Sequence, residues 1–219
     1  MDKLRMRFKK TGRAAYISHL DLVQTIQRAF FRAELPLKYS EGYNPRPQLS
    51  ALLPLSVGTE SICELMDFQL AQDMDIAPIP ALLTEKLPEG IEIMEVYPRQ
   101  RKPAELKWLK VEGRLEYDER EPGELIGQLE EFFARESITV MRRTKRGEGL
   151  ADIKGAINSM ELTADEGKIT MSAVISAQEP TLNPALLIDA LRQNAPELAP
   201  DFAKFTRIET YDREMKLYR

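Results

Sequence analysis

Between Leu4 and Tyr97 the spacing of apolar residues switches between a period of two and a period of 3.6 in a fixed order, which constrains the fold more than any other feature of the sequence. Leu4-Arg-Met-Arg-Phe8 alternates apolar and basic residues, as in a strand with one apolar face and one wet, positive face. Ser18 is an N-cap candidate with Asp21 three residues on, a relative of the Ser-x-x-Glu capping box. The helix that it opens, residues 19–34, sets Val23, Ile26, Phe30 and Ala33 along one stripe. Asp21, Thr25, Arg28 and Arg32 fall on the opposite stripe, and Pro36 stops the helix. Residues 48–55 and 61–70 read as strands, 78–87 as a short helix and 91–97 as a further strand. That order, β-α-β-β-α-β, is the ferredoxin-like arrangement.

Residues 98–103 read as a linker, after which the pattern returns. Strands are expected at 108–117, 138–142, 152–162, 168–175 and 205–211, with helices at 122–135 and 184–192. The second of these helices opens on Asn183-Pro184, proline being favoured in the first helical turn. The expectation is an α+β chain of two tandem ferredoxin-like domains with antiparallel sheets, residues 1–98 and 104–219.

Charge is unevenly spread. Residues 1–50 hold ten Lys/Arg against four Asp/Glu, a net +6, within a chain whose overall charge is −4. Two more basic runs, Arg99-Gln-Arg-Lys102 and Arg142-Arg-Thr-Lys-Arg146, interrupt the acidic remainder. Clustered Lys/Arg attract phosphate chains by counterion release, whereas the bland alternative for the same residues is solvated strand edges and loops. Cys63, the one cysteine, excludes an internal disulfide and a multi-thiolate cluster, and one histidine argues against a His-based metal centre. The expectation is therefore no metal and no cofactor of its own. No apolar run approaches the ~18–20 residues that cross a bilayer, and the basic N-terminus lacks a signal-peptide apolar block, so a cytoplasmic protein without membrane contact is expected.

Few residues suggest chemistry. His19, in the first turn of a helix beside Ser18 and Tyr16, suits proton transfer near a phosphate, although it also falls on the stripe that should pack inward. Cys63 lies in an apolar strand and reads as a buried structural thiol. Asp152 and Lys154 would share a strand face and pair. The Gly-x-x-x-x-Gly-Lys-Ser/Thr and Gly-x-Gly-x-x-Gly fingerprints and the Gly-x-Ser-x-Gly elbow are absent, and Arg146-Gly-Glu-Gly149 reads as a flexible turn. The strongest patch is Arg5, Arg7, Lys9, Arg28, Arg32, Tyr39, Tyr43, Asn44 and Arg46, a mixture of cations and aromatics of the kind that holds single-stranded RNA. Tyr39-Ser-Glu-Gly-Tyr-Asn-Pro-Arg-Pro47 reads as a shaped loop, because Pro45 and Pro47 hold it extended.

Arg7-Phe8-Lys9-Lys10-Thr-Gly12, Tyr16-Ile-Ser-His-Leu-Asp-Leu22, the Tyr39–Pro47 run, Leu53-Pro54-Leu55-Ser-Val-Gly58 and Glu60-Ser61 with Glu64 and Asp67 together resemble the radical-SAM-associated domain of unknown function. That domain occurs fused to a radical-SAM iron–sulfur protein or encoded separately. The resemblance covers residues 5–70 and implies a bacterial protein working beside a separately encoded radical-SAM iron–sulfur protein. It also implies a shared site lined by Ser18, His19, Asp21, Arg28, Arg32, Tyr39, Ser40, Gly42, Asn44, Pro45 and Pro47. The chain has no Cys-x-x-x-Cys-x-x-Cys motif, so it is not the cluster-bearing component.

Three functions remain open on the sequence. The first is an accessory protein that binds RNA, or another anionic substrate, for a radical-SAM enzyme. The second is a docking module for that enzyme without nucleic-acid binding. The third is an enzyme similar in outline to the repeat-associated CRISPR endoribonucleases, with His19, Tyr16 and Lys10 as its candidate set, although the C-terminal glycine-rich loop of those nucleases is not seen.

Overall fold

The structure, a computed structural model, describes residues 3–144 and 147–219. It is an α+β protein, with four α-helices and antiparallel sheets among the described residues. The chain forms two compact units, Met1–Glu105 with Tyr218–Arg219, and Leu106–Leu217.

In the first unit, strand β1 (Leu4–Lys10) leads through a 3-10 turn (Gly12–Tyr16) into helix α1 (His19–Arg32). Strands β2 (Leu49–Ala51) and β3 (Glu60–Phe68), helix α2 (Ile79–Lys86) and strand β4 (Ile91–Pro98) follow. β1 pairs antiparallel with both β3 and β4, and β2 pairs with the far side of β3, giving the spatial order β4-β1-β3-β2. β2 is three residues long where the sequence suggests eight: the Leu52 amide makes one more bond to β3, at the Leu65 carbonyl, before the chain bends and Pro54 follows. Ser18 caps α1 as expected: its Oγ accepts from the Asp21 amide at 3.2 Å and donates to the Asp21 carboxylate at 2.6 Å.

The core of this unit lies between one sheet face and the two helices. Met6 and Phe8 of β1 meet Ile26 and Phe30 of α1, Met66 and Phe68 of β3, and Ile79 and Leu83 of α2, all buried. Phe30 and Phe68 pack edge to face with ring centroids 5.1 Å apart. Each fully buried side chain of this size contributes roughly 1.5–3 kcal/mol of hydrophobic stabilisation.

The opposite face of β1 is not the wet, positive face that the alternation suggests. Arg5 is fully buried, Arg7 is mostly covered and donates to Glu95 at 3.1 Å, and Lys9 pairs with Glu92 at 2.6 Å. Arg5 lies opposite Asp67 in the β1–β3 register, and Asp67 takes two hydrogen bonds from its guanidinium. Basic residues at alternate positions here are matched by acids across the ladder, and Arg5 and Arg7 are withdrawn from solvent while Lys9 stays partly exposed. Nor is the 98–103 segment a spacer. Arg99 reaches Asp67 at 3.3 Å, Arg101 pairs with Glu105 at 3.1 Å, and the Lys102 carbonyl accepts from Tyr218 Oη at 2.9 Å.

In the second unit, strand β5 (Leu106–Glu116) and helix α3 (Pro122–Ala134) precede a separate hairpin of β6 (Thr139–Thr144) and β7 (Gly147–Asp152). Strands β8 (Ile157–Asp165) and β9 (Lys168–Ser176), helix α4 (Ala185–Asn194) and strand β10 (Phe202–Asp212) complete it. The spatial order is β10-β5-β9-β8, antiparallel throughout. Gly147 and Gly149 therefore belong to a strand and not to a flexible turn, while Lys145 and Arg146 lie outside the described residues. Asp152 and Lys154 do not pair across a strand face. Asp152 Oδ1 accepts from the amides of Ile138 and Lys154, holding its carboxyl below the usual range, and the Lys154 ammonium donates to the Phe133 carbonyl.

Candidate nucleic-acid interface

A hydrogen bond joins α1 to the 39–47 loop, the side-chain amide of Gln27 donating to Tyr39 Oη at 3.3 Å. The loop closes on itself through Ser40, whose amide donates to the Arg46 carbonyl at 2.8 Å and whose Oγ accepts from the Arg46 amide at 3.0 Å. Gly42 inside it has φ 121°, a conformation that a side chain would strain. Tyr39 is half exposed, Tyr43 at the tip is fully exposed, and Asn44 and Arg46 are exposed beside it. The loop is shaped, as the two prolines require, and it projects an aromatic and a cation into solvent.

On α1, Arg28 is exposed, and neither Arg28 nor Arg46 makes a side-chain hydrogen bond or ion pair among the described residues. Arg32 is exposed but committed, because its guanidinium donates to the Lys86 carbonyl at the end of α2. Ser18 and Asp21 are occupied with each other at the helix start. His19 is half buried at the first helical position and makes no side-chain hydrogen bond among the described residues. Tyr16 beside it is exposed. Lys10, the third member of the cleavage set, is fully buried and donates to the carbonyls of Ala15 at 3.1 Å and Ile17 at 2.7 Å. Burial pushes its ammonium below the ordinary value of 10.5, with the Glu64 charge opposing. Lys10 is thus an anchor for the turn that feeds α1, and it leaves His19 without the lysine that cleavage would use.

Sequence reading missed a second exposed stripe. Leu20, Gln24, Gln27 and Phe31 recur at helical spacing, and Leu20 and Phe31 are 71% and 84% exposed. Their spacing was the available signal. Among the described residues no group of three or more His, Cys, Asp and Glu side chains gathers to hold a metal ion, and no helix is long and apolar enough to cross a membrane. Cys63 is buried, with its sulfur 3.8 Å from Ser61 Oγ.

The family model described as "Uncharacterized protein conserved in bacteria (DUF2344)" matches residues 3–184. The chain belongs to that family. No curated protein matches it. Among solved structures it is similar to a chain of the "Crystal Structure of a Cbf5-Nop10-Gar1 Complex", with a TM-score of 0.50 and 11% identity over 94% of this chain and 48% of that chain. It therefore spans about half the length of that relative, and at this identity the likeness is one of fold alone. An unknown protein from Galdieria sulphuraria (TM-score 0.28, 9% identity, 94% of this chain and 98% of that chain) is too distant in structure to add to the argument. So is a CRISPR-associated protein from Thermus thermophilus (TM-score 0.21, 15% identity, 94% and 99% covered).

Proposed function

We propose that this chain is a non-catalytic accessory protein that binds RNA on the exposed surface of α1 and the 39–47 loop and presents it to a separately encoded radical-SAM enzyme in the cytoplasm. The observation that carries the RNA half is the pairing of uncommitted cations, Arg28 and Arg46, with exposed aromatics, Tyr39 and Tyr43, on two elements tied together by the Gln27–Tyr39 hydrogen bond. Cations hold the phosphate chain and aromatic faces stack bases without sequence preference. The radical-SAM half rests on the motif resemblance over residues 5–70. The spatial order β4-β1-β3-β2, and β10-β5-β9-β8 in the second unit, supports reading each unit as ferredoxin-like, the second with the β6–β7 hairpin inserted.

The test is retention of total cellular RNA by the purified protein at low and at moderate salt, wild type beside Arg28→Ala/Arg46→Ala. Salt-sensitive retention that the double variant loses supports the reading, and no retention in either protein overturns its RNA half. The exposed Leu20–Phe31 stripe favours a second reading, docking to the radical-SAM protein without RNA. It predicts capture of that protein by the wild type and loss of capture on Leu20→Ser/Phe31→Ser.

A further inference from the structure

A cavity of about 380 Å³ opens between β2, the end of β3 and the segment after β4. This is within the size range of small-molecule sites, roughly 300–1,000 Å³. Pro47 and Pro103 give it apolar surface, and Gln48 and Ser50 line it with an amide and a hydroxyl. Those two side chains make no hydrogen bond among the described residues.

Its cations are set by the backbone. The Arg99 amide donates to the Lys3 carbonyl at 2.8 Å, which holds the two basic residues side by side on the lining. Asp67, also in the lining, aims the Arg99 guanidinium by taking one bond from its Nη1 at 3.3 Å. A guanidinium has five N–H donors, so most of those of Arg99 stay available. Asp67 is simultaneously held by the buried Arg5, so one carboxylate is shared by Arg5 and Arg99 and, with Lys3 also on the lining, the positive charge is in excess. An aimed arginine beside a lysine, with proline rings and uncommitted polar groups around them, is the chemistry that recognises a carboxylate or phosphate carried on an apolar body.

We propose that this cavity binds a small organic anion, a carboxylate or a phosphate monoester, with Arg99 as its principal contact and Lys3 as a second. The site is separate from the α1 surface. The experiment titrates the full chain with benzoate, phenyl phosphate and neutral benzyl alcohol, following the backbone amide NMR signals of Leu49, Ser50 and Gln69. One or both anions should move these signals at millimolar concentration and benzyl alcohol should not, and which anion binds tighter tells carboxylate from phosphate. Arg99→Gln should weaken binding about tenfold or more, as loss of a charge-assisted contact does. Arg28→Ala/Arg46→Ala should leave it unchanged, so failure here and failure of the RNA reading are distinguishable. If Arg99→Gln does not fold, Lys3→Gln replaces it, with a loss of about threefold expected. The proposal is overturned if neither anion moves those signals, if benzyl alcohol binds as well as the anions, or if the folded variant binds like wild type.

Discussion

Arg5 and Asp67 sit opposite one another on β1 and β3, joined by two hydrogen bonds, Nε to Oδ1 at 2.6 Å and Nη2 to Oδ2 at 3.1 Å. Arg5 is wholly buried and the Asp67 side chain nearly so. Burial opposes the arginine's charge, but the Asp67 hydrogen bonds and charge outweigh it and hold the proton more firmly than usual.

Removing one member of such a pair strands the other. Asp67→Ala should lower unfolding free energy by about 3–5 kcal/mol, because Arg5 keeps its charge without a carboxylate. The apolar double variant Arg5→Met/Asp67→Leu should recover most of that loss. Urea unfolding midpoints decide it, and a double variant no better than Asp67→Ala would refute the account.

Tyr218 closes the same network from the far end of the chain. Its Oη accepts from Arg5 Nη1 at 2.7 Å and donates to the Lys102 carbonyl at 2.9 Å, and Arg5 and Arg101 each stack on its ring about 5 Å from the centroid. Tyr218→Phe keeps the stacking and loses both bonds, at a cost of roughly 1.5–3 kcal/mol. A thermal melt that does not move would show the hydroxyl to be unimportant.

Gly90 has φ +89°, and a Cβ there would lie 2.3 Å from the Thr11 carbonyl oxygen, whose own residue donates its amide to Gly90 O. Backbone cannot yield as a flexible side chain can. Gly90→Ala should therefore destabilise by about 1–3 kcal/mol, whereas Gly127→Ala, with nothing within 4 Å and in the interior of α3, should be neutral or stabilising. Paired chemical denaturation of the two variants provides the check.

Alkaline sensitivity follows from the tyrosines. Burial pushes Tyr97 and Tyr117 from the ordinary value of 10 up to about 12. The folded state therefore keeps both phenolic protons after the unfolded chain has lost them. This stabilisation is complete below pH 10 and is lost as pH rises through about 12. Among the described residues Tyr97 Oη has no hydrogen-bond partner, so Tyr97→Phe should cost little near neutrality and make the decline above pH 10 shallower. An unchanged slope of unfolding midpoint against pH would count against it.

Local signals carried most of the first unit. The Ser18 cap, the Val23–Ile26–Phe30 stripe and the stop before Pro36 are dictated by neighbours in sequence, and the structure keeps them. The fate of Arg5 was not legible, because only the strand register and the return of Tyr218 decide whether an alternating basic residue meets water or Asp67. β7 escaped for a related reason. Gly147 and Gly149 have weak strand preference, and pairing with β6 supplies what local propensity lacks. The 39–47 loop was recognisable from its prolines and Gly42, but Arg32 was not distinguishable from Arg28 until the end of α2 was in place to take its hydrogen bond.

The clasp by Tyr218 also imposes an order of events on a growing polypeptide. Arg5 is made well before its tyrosine partner, which follows Glu105 by more than a hundred residues. At translation rates of about 5–20 residues per second, that interval is roughly 5–20 s. Throughout it the nascent first unit has Asp67 and Arg99 in hand but lacks the ring that shields its buried arginine, so its last increment of stability arrives only once Tyr218 has been made.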